Sequence, residues 1–168
     1  VENENKKTNI IKIITNEKLL KENNISKNDF VYIEGEFHSY NISSSQQNHL
    51  ALFCFTKKIS KEKFFDDKNF IFLNGYICKV PAIRIINNNL KICDVLVAVN
   101  RKYNKSDYIP CVISENEFSE IINKKVGDNI SFNGIIQSRK YIKKISENIL
   151  ENKIAYEIVV TQFIKNNI

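Results

Sequence analysis

The chain has 168 residues, of which 43% are apolar and 26% are charged, and its net charge is +6. This length allows one medium-sized domain or two small ones, each with an apolar core. The longest apolar runs, such as Val95–Val99, are far shorter than a membrane span, which predicts a soluble protein with no membrane partner. The first twenty residues show no signal-peptide pattern, and the absence of methionine indicates that at least an initiator has been lost.

Alternating apolar and polar residues predict that most of the chain forms β-strands. Six stretches carry β-branched or aromatic residues at alternate positions: Phe30–Phe37, Ala51–Thr56, Phe70–Ile77, Ile92–Val99, Asn129–Ile136 and Tyr156–Phe163. Two further stretches are typical of helices. Asn16–Asn23 follows Thr15, a candidate cap. Glu115–Lys125 follows Ser114, with Glu117 at the capping-box position. Many strands and few helices favour small β-barrels over a helical bundle.

An internal repeat relates the two halves of the chain. Asp29–Ser39 aligns with Asp128–Ser138, so that an aspartate, a glycine and a serine coincide while the apolar alternation stays in phase. Upstream, Thr8–Ile14 aligns with Ser106–Val112, and each segment leads into a helical stretch. Both copies are therefore predicted to run strand, helix, strand, loop, strand.

The repeat also sets the predicted domain boundaries. Two further strands, within residues 69–86 and 90–101, precede the second copy and have no counterpart in the first. We therefore predict an incomplete unit at residues 1–60, a linker at residues 61–68 and a complete unit at residues 69–168.

Charge and cysteine content narrow the class of partner. The last hundred residues hold fourteen basic and nine acidic residues, whereas the first 68 hold eleven and ten. This uneven excess is typical of a protein with a polyanionic partner, and equally of a solvated lysine-rich surface.

The four cysteines stand in separate apolar runs, which predicts reduced core residues of a cytosolic protein. His38 and His49 lie far from any cysteine pair, so no metal site or other cofactor is predicted.

Features of the second copy, taken in order, resemble the bacterial single-stranded DNA-binding protein family. They are Gly75, Pro81 and Arg84, the Ala98–Arg101 run, the Asp107–Cys111 strand, Val126–Asp128, Gly134 and the Gln137–Arg139 run. The resemblance implies an all-β chain with an oligonucleotide-binding (OB) fold. That fold is a five-stranded Greek-key barrel with one helix between strands three and four, here preceded by a partial second OB unit. The repeat matches the variant with two tandem OB units, the first N-terminally incomplete.

Single-stranded nucleic acid presents flat bases and a line of phosphates, so its binders need exposed aromatic rings beside cations. Stacking contributes about 1–3 kcal/mol per base and tolerates any sequence. Residues 101–108, around the loop between strands two and three, mix both residue types, as do residues 139–144, before a predicted long loop. The predicted nucleic-acid-binding residues are Tyr76, Arg84, Arg101, Lys102, Tyr103, Lys105, Tyr108, Arg139, Lys140, Tyr141 and Lys143.

Several of these residues also have a purely structural interpretation. Tyr108 is equally compatible with a half-buried core position. Arg84 and Arg101 are also placed to form surface ion pairs with Asp94 or Asp107. Three phenylalanines are predicted to lie in the core: Phe70, Phe72 and Phe132.

The predicted function is sequence-tolerant binding of single-stranded DNA in replication, recombination, repair or plasmid maintenance. No catalytic residues are predicted, because the sequence has no nucleophile–base pair, phosphate-binding glycine loop or metal-ligand cluster. Two alternatives remain: an OB-fold accessory subunit, primosome-like, that acts through protein contacts, or a binder of single-stranded RNA. The expected partners are single-stranded DNA, further copies of the chain, and replication or repair proteins, in a nucleoid-associated, cytoplasmic setting.

Overall fold

The strands of the chain form two sheets, one of three strands and one of six. The computed structural model describes residues 8–43, 48–64, 67–86, 89–146 and 149–165, and of residues 43, 48, 49, 143–146 and 149 only the backbone. The elements are, in chain order, β1 (Ile13–Ile14), α1 (Glu17–Glu22), β2 (Val31–Ser43), β3 (Asn48–Lys61), β4 (Ile71–Ile77), β5 (Ala82–Ile85), β6 (Lys91–Arg101), β7 (Lys105–Ser114), a 3₁₀ turn (Glu115–Glu117), α2 (Phe118–Ile121), β8 (Asn129–Ser146) and β9 (Ile149–Phe163).

Five strands of the larger sheet close into a barrel. β4 pairs with β8, β8 with β9, β7 with β6, and β6 with β4, all antiparallel, while β7 and β9 pair in parallel. β5 continues the edge of β6 beyond the end of β4. The 3₁₀ turn and α2 lie between the third and fourth barrel strands, β7 and β8. This architecture confirms the predicted OB fold.

The barrel closes around alternate apolar residues from every strand. The side chains of Phe132, Val97, Ile109 and Ile158 have no exposed surface. Phe132 packs edge-to-face against Phe163, with ring centroids 6.0 Å apart. Where β4 crosses β6, a Cβ on Gly75 would lie 2.5 Å from the carbonyl oxygen of Ala98. Gly75 therefore allows the two strands to approach closely enough to close the barrel.

The prediction of a core position is correct for Phe132 and wrong for Phe70, which precedes β4, and for Phe72, which lies within it. Phe70 is 69% exposed and Phe72 is 52% exposed. Ile71 and Leu73 take the inward positions on β4, so their even-numbered neighbours lie on the outer face. Phe72 is therefore available at the surface of the barrel.

The smaller sheet has the order β1–β3–β2. β1 pairs with β3 in parallel, and β2 pairs with β3 in an antiparallel hairpin. α1 connects β1 to β2, and its cap is Asn16 rather than Thr15, because the Asn16 Oδ1 accepts a hydrogen bond from the Lys18 amide at 2.8 Å. Leu52 of β3 belongs to the same apolar cluster as fifteen buried residues of the barrel and α2, and Phe37 of β2 packs against that cluster, so the two sheets are in contact.

Two details of the predicted elements are wrong. Ser114 makes no side-chain capping bond, because the chain leaves β7 through a 3₁₀ turn, and α2 ends at Ile121 rather than Lys125. Cys93 and Cys111 are buried, as predicted, but Cys54 and Cys78 are only partly buried. Burial raises the pKa of the Cys111 thiol, which keeps it protonated and unreactive. Among the described residues, no helix is long and apolar enough to cross a membrane.

Candidate nucleic-acid interface

Two tyrosines flank a single alanine on the outer surface of the barrel. Tyr76 of β4 and Tyr108 of β7 are both paired with Ala98 of the strand between them, β6. Paired residues project to the same side of a sheet, and adjacent strands lie about 4.8 Å apart, so the two side chains leave the sheet about 10 Å apart. Tyr76 is 44% exposed and Tyr108 is 41% exposed. Neither tyrosine is therefore a core residue, and the small Ala98 leaves the space between them open.

Phe72 extends this aromatic surface along β4, although the sequence predicts a core position for it. It projects to the same side as Tyr76, four residues away. Between the two, the Asn74 Nδ2 donates a hydrogen bond to the Ser131 Oγ on β8. We call the surface formed by Phe72, Tyr76, Ala98 and Tyr108 the tyrosine face. The strand alternation that exposes Tyr76 was the signal that could have identified Phe72.

The hairpin between β6 and β7 continues from the tyrosine face. Asn100 and Ser106 form the next outward pair after Ala98 and Tyr108, and their side chains are hydrogen-bonded at 3.1 Å. Beyond them, Lys102 and Lys105 are exposed and flank Tyr103, which is 92% exposed. Tyr103 and Asn104 both have positive φ, as a tight reversal of the chain requires. The hairpin thus presents one ring and two ammonium groups beside the tyrosine face.

Arg101, at the start of this hairpin, is engaged within the protein. Its Nε lies 3.1 Å from the Asp107 Oδ2, and its guanidinium carbon lies 5.3 Å from the centre of the Tyr40 ring. Asp107 is only 1% exposed, so the pair is not the surface contact that the sequence suggested. A guanidinium held by a buried carboxylate and an aromatic face has little freedom to move to a phosphate.

Arg84 on β5 forms the other ion pair that the sequence suggested. Its Nε and Nη2 both contact the Asp94 carboxylate, the second at 3.2 Å. The carboxylate raises the pKa of the Arg84 guanidinium. Both side chains are nearly half exposed, so water screens the pair. Arg84 therefore stays within reach of solvent.

An Asp94→Asn variant tests whether Arg84 faces the nucleic acid. Loss of the carboxylate frees Arg84, so we expect tighter binding of single-stranded DNA. The slope of the logarithm of the association constant against the logarithm of the salt concentration should become steeper by about 0.7. The stability change should stay below about 1 kcal/mol, because the pair is exposed. The measurement is the affinity for labelled oligo-dT at several salt concentrations. Glu34→Gln, which frees Lys58 of the first sheet from an exposed pair at 3.1 Å, is the matched control and should leave the slope unchanged. Equal slopes for wild type and Asp94→Asn would contradict a role for Arg84.

The second basic stretch lies on a long β-ribbon, so the predicted long loop is wrong. β8 continues to Ser146 and β9 begins at Ile149, with Arg139 opposite Ala155 and Tyr141 opposite Lys153. Arg139 and Lys140 are exposed, and Tyr141 is 37% exposed. Strand alternation puts Arg139 and Tyr141 on one side of the ribbon and Lys140 on the other. The side chain of Lys143 lies outside the described residues.

The described part of the chain contains no group of three histidine, cysteine, aspartate or glutamate side chains placed to hold a metal ion. The chemical groups that the site offers are thus aromatic rings, ammonium and guanidinium groups, and amides. This combination is suited to stacking on bases and neutralising phosphates.

Comparison with known proteins gives one matching family and several solved structures that superpose in part. Residues 68–164 match the model of the single-strand binding protein family. A deletion variant of the single-stranded DNA-binding protein from Thermus aquaticus superposes with a TM-score of 0.73 at 10% identity, covering 91% of this chain and 69% of that one. The wild-type Thermus aquaticus protein superposes with a TM-score of 0.67 at 10% identity, covering 85% of this chain and 62% of that one. The Plasmodium falciparum protein in complex with single-stranded DNA superposes with a TM-score of 0.48 at 21% identity, covering 61% of this chain and 99% of that one. A search of curated protein sequences finds no match.

Proposed function

We propose that this chain, which belongs to the single-strand binding protein family, binds single-stranded DNA through the tyrosine face and the β6–β7 hairpin of its barrel. The binding is non-catalytic and tolerant of sequence, because stacking on aromatic rings uses the flat face that every base has.

The observation that carries this proposal is the pair of exposed tyrosines on either side of Ala98. The two rings project from the strands on either side of β6, and only the small Ala98 lies between them. Two side chains that leave the sheet about 10 Å apart leave room for bases to enter and stack.

The distribution of cations supports a phosphate path next to these rings. Arg101 is paired with Asp107, and Lys91 with Glu115. By contrast, Lys102, Lys105, Arg139 and Lys140 form no ion pair with any acidic residue that the structure describes. When these four cations neutralise phosphates, the counterions condensed on the DNA are released, which makes binding depend on salt.

We further propose that the first sheet is a second OB-type unit in tandem, as in some bacterial members of the family. Three local features support it. The parallel pair Ile13–Cys54 corresponds to Cys111–Ile158. A register shift at Gly35 corresponds to one at Gly134. The Asp29 carboxylate accepts the Ser26 amide three residues earlier, as Asp128 accepts that of Lys125, both at 2.8 Å.

The proposal extends to the setting in which the protein acts. Sequence-tolerant coating of single strands suits replication, recombination, repair or plasmid maintenance. We propose a nucleoid-associated location in the cytoplasm, self-association of the chain, and contacts with replication or repair proteins. Sedimentation of the free protein at several concentrations measures the self-association.

A titration of labelled oligo-dT with the protein tests the proposed function. With about four phosphate contacts, log K should fall with log salt concentration with a slope of about −3, which is about fiftyfold between 50 and 200 mM. An unlabelled oligonucleotide of the same length should displace the probe, and the equivalent duplex should not. Binding that fails at low salt, or equal competition by the duplex, would contradict the proposal.

A further inference from the structure

The two units contact each other through a serine on β2 and the start of β7. The Ser39 amide donates a hydrogen bond to the Asp107 Oδ1 at 2.7 Å, and the Tyr108 amide donates one to the Ser39 Oγ at 2.7 Å. Ser39 is only 4% exposed and Asp107 is 1% exposed. We call this reciprocal pair of bonds the Ser39 clasp.

The same pair of bonds occurs a second time with the roles of the units exchanged. The Ser138 amide donates to the Asn9 Oδ1 at 2.9 Å, and the Ile10 amide donates to the Ser138 Oγ at 2.8 Å. We call these bonds the Ser138 clasp. In the repeat, Ser39 aligns with Ser138 and Asn9 aligns with Asp107. The contact between the units is thus made twice, as in an interface related by two-fold symmetry.

The two clasps differ in one chemical group, and that difference affects the hairpin. Asn9 shows that an amide is enough to make the clasp, whereas Asp107 supplies a carboxylate. The Asp107 Oδ2 is shared by the His38 Nδ1 at 2.8 Å and the Arg101 Nε at 3.1 Å. The charge at position 107 therefore serves contacts beyond the clasp itself.

Both ends of the β6–β7 hairpin are consequently attached to the first unit. Arg101, where β6 ends, lies over the Tyr40 ring, which is itself stacked on Phe53 with centroids 5.2 Å apart. On the β7 side, Asp107 and the Tyr108 amide are held by the Ser39 clasp. Tyr103, which is 92% exposed, lies between these two anchors.

We propose that the first unit positions the β6–β7 hairpin for DNA binding, and that Ser39 and Asp107 are the positioning residues. This inference rests on the proposed function of the tyrosine face and hairpin. It assigns the first unit a role in affinity that requires none of its own residues to touch the DNA. Pre-ordering a binding loop raises affinity because less conformational entropy is lost on binding.

Trypsin cleavage of the native protein after Lys102 and Lys105 tests the positioning without DNA. Ser39→Ala leaves the Tyr108 amide without its acceptor, so we expect hairpin cleavage to accelerate about fivefold, as for the loss of one hydrogen bond. Ser138→Ala is the matched control: it removes the equivalent bond of the other clasp, and hairpin cleavage should stay at the wild-type rate. Asp107→Asn is the second variant in case Ser39→Ala fails to fold, since Asn9 shows that an amide fits this position. It should also accelerate cleavage, because Arg101 loses its carboxylate.

A double-mutant cycle with Tyr103→Ala tests the link to binding. If Ser39 acts by positioning the hairpin ring, Ser39→Ala should weaken oligo-dT binding in the wild-type background and have little further effect once Tyr103 is alanine. If the role of Ser39 were merely structural, the losses of binding free energy caused by Ser39→Ala and Tyr103→Ala would add. We expect such additive losses when Ser138→Ala is combined with Tyr103→Ala.

The inference is overturned if Ser39→Ala and Ser138→Ala accelerate hairpin cleavage equally, or if neither Ser39→Ala nor Asp107→Asn accelerates it. These outcomes are separate from a failure of the proposed function. If the proposed function failed, the wild-type protein would not bind oligo-dT. The cleavage assay would still report whether the first unit holds the hairpin.

Discussion

A double variant carrying Tyr76→Ala and Tyr108→Ala is expected to lose about 2–6 kcal/mol of binding free energy for oligo-dT, since each ring contributes about 1–3 kcal/mol by stacking. At about 1.4 kcal/mol per tenfold change, the dissociation constant should rise at least about thirtyfold. The variant should keep its fold, because both rings project from the outer face and neither fills the core. Fluorescence anisotropy with labelled oligo-dT measures the affinity, and circular dichroism checks the fold.

Tyr32→Ala is the matched control for this variant. Tyr32 is 43% exposed, almost the same as Tyr76 and Tyr108, but it lies on β2 of the first unit. Its loss should leave affinity within a few fold of the wild-type value. If Tyr32→Ala weakened binding as strongly as the double variant, the DNA would not be bound specifically at the tyrosine face.

Phe132→Ala is expected to have the largest effect on stability, a loss of about 3–5 kcal/mol in the free energy of unfolding. The Phe132 side chain has no exposed surface and contacts the Phe163 ring. Removing it leaves a cavity in the middle of the barrel, which the surrounding strands cannot fill without breaking their pairing. Urea denaturation followed by circular dichroism measures the loss.

Phe72→Ala, in contrast to Phe132→Ala, is expected to affect DNA binding more than stability. Because Phe72 is 52% exposed on the tyrosine face, its loss should change stability by less than about 1 kcal/mol and weaken DNA binding by about 1 kcal/mol or more. The two phenylalanines should therefore separate stability from affinity. A large stability loss for Phe72→Ala, with unchanged affinity, would contradict its assignment to the surface.

The barrel was predictable from the sequence because its strands bury one face each. In β4 the inward positions Ile71, Leu73, Gly75 and Ile77 alternate strictly with outward ones. The same alternation implied that Tyr76 faces outward. It also implies an outward position for Phe72, against the core position that its residue type predicts. On a strand whose inward positions are identified, phase is the better guide to burial, even for phenylalanine.

Features that depend on distant partners were less predictable. The ribbon formed by the ends of β8 and β9 extends past the apolar core, so polar residues occupy both of its faces and the alternation that indicates a strand is lost. The ion pair between Arg101 and Asp107 was one of the alternatives, but its burial could not be anticipated. It depends on His38, Ser39 and Tyr40, more than sixty residues earlier in the chain.

The internal repeat contained the signal for the interface between the units. It aligned Ser39 with Ser138 and Asn9 with Asp107, the four residues that form the two clasps. The sequence could not show that these aligned residues meet each other, because an alignment of two copies carries no information about how the copies pack. Repeated polar residues at otherwise apolar positions are thus candidates for contacts between repeated units.

Photocrosslinking to oligo-dT tests most directly the claim that the tyrosine face binds single-stranded DNA. Irradiation of the complex, digestion and mass spectrometry identify the residues that contact bases, and a chain with seven tyrosines and no tryptophan makes the assignment simple. We predict crosslinks at Tyr76, Tyr103 and Tyr108 that disappear when excess unlabelled single strand is added and persist with duplex. Crosslinks confined to Tyr32 and Tyr40 of the first unit would contradict the account.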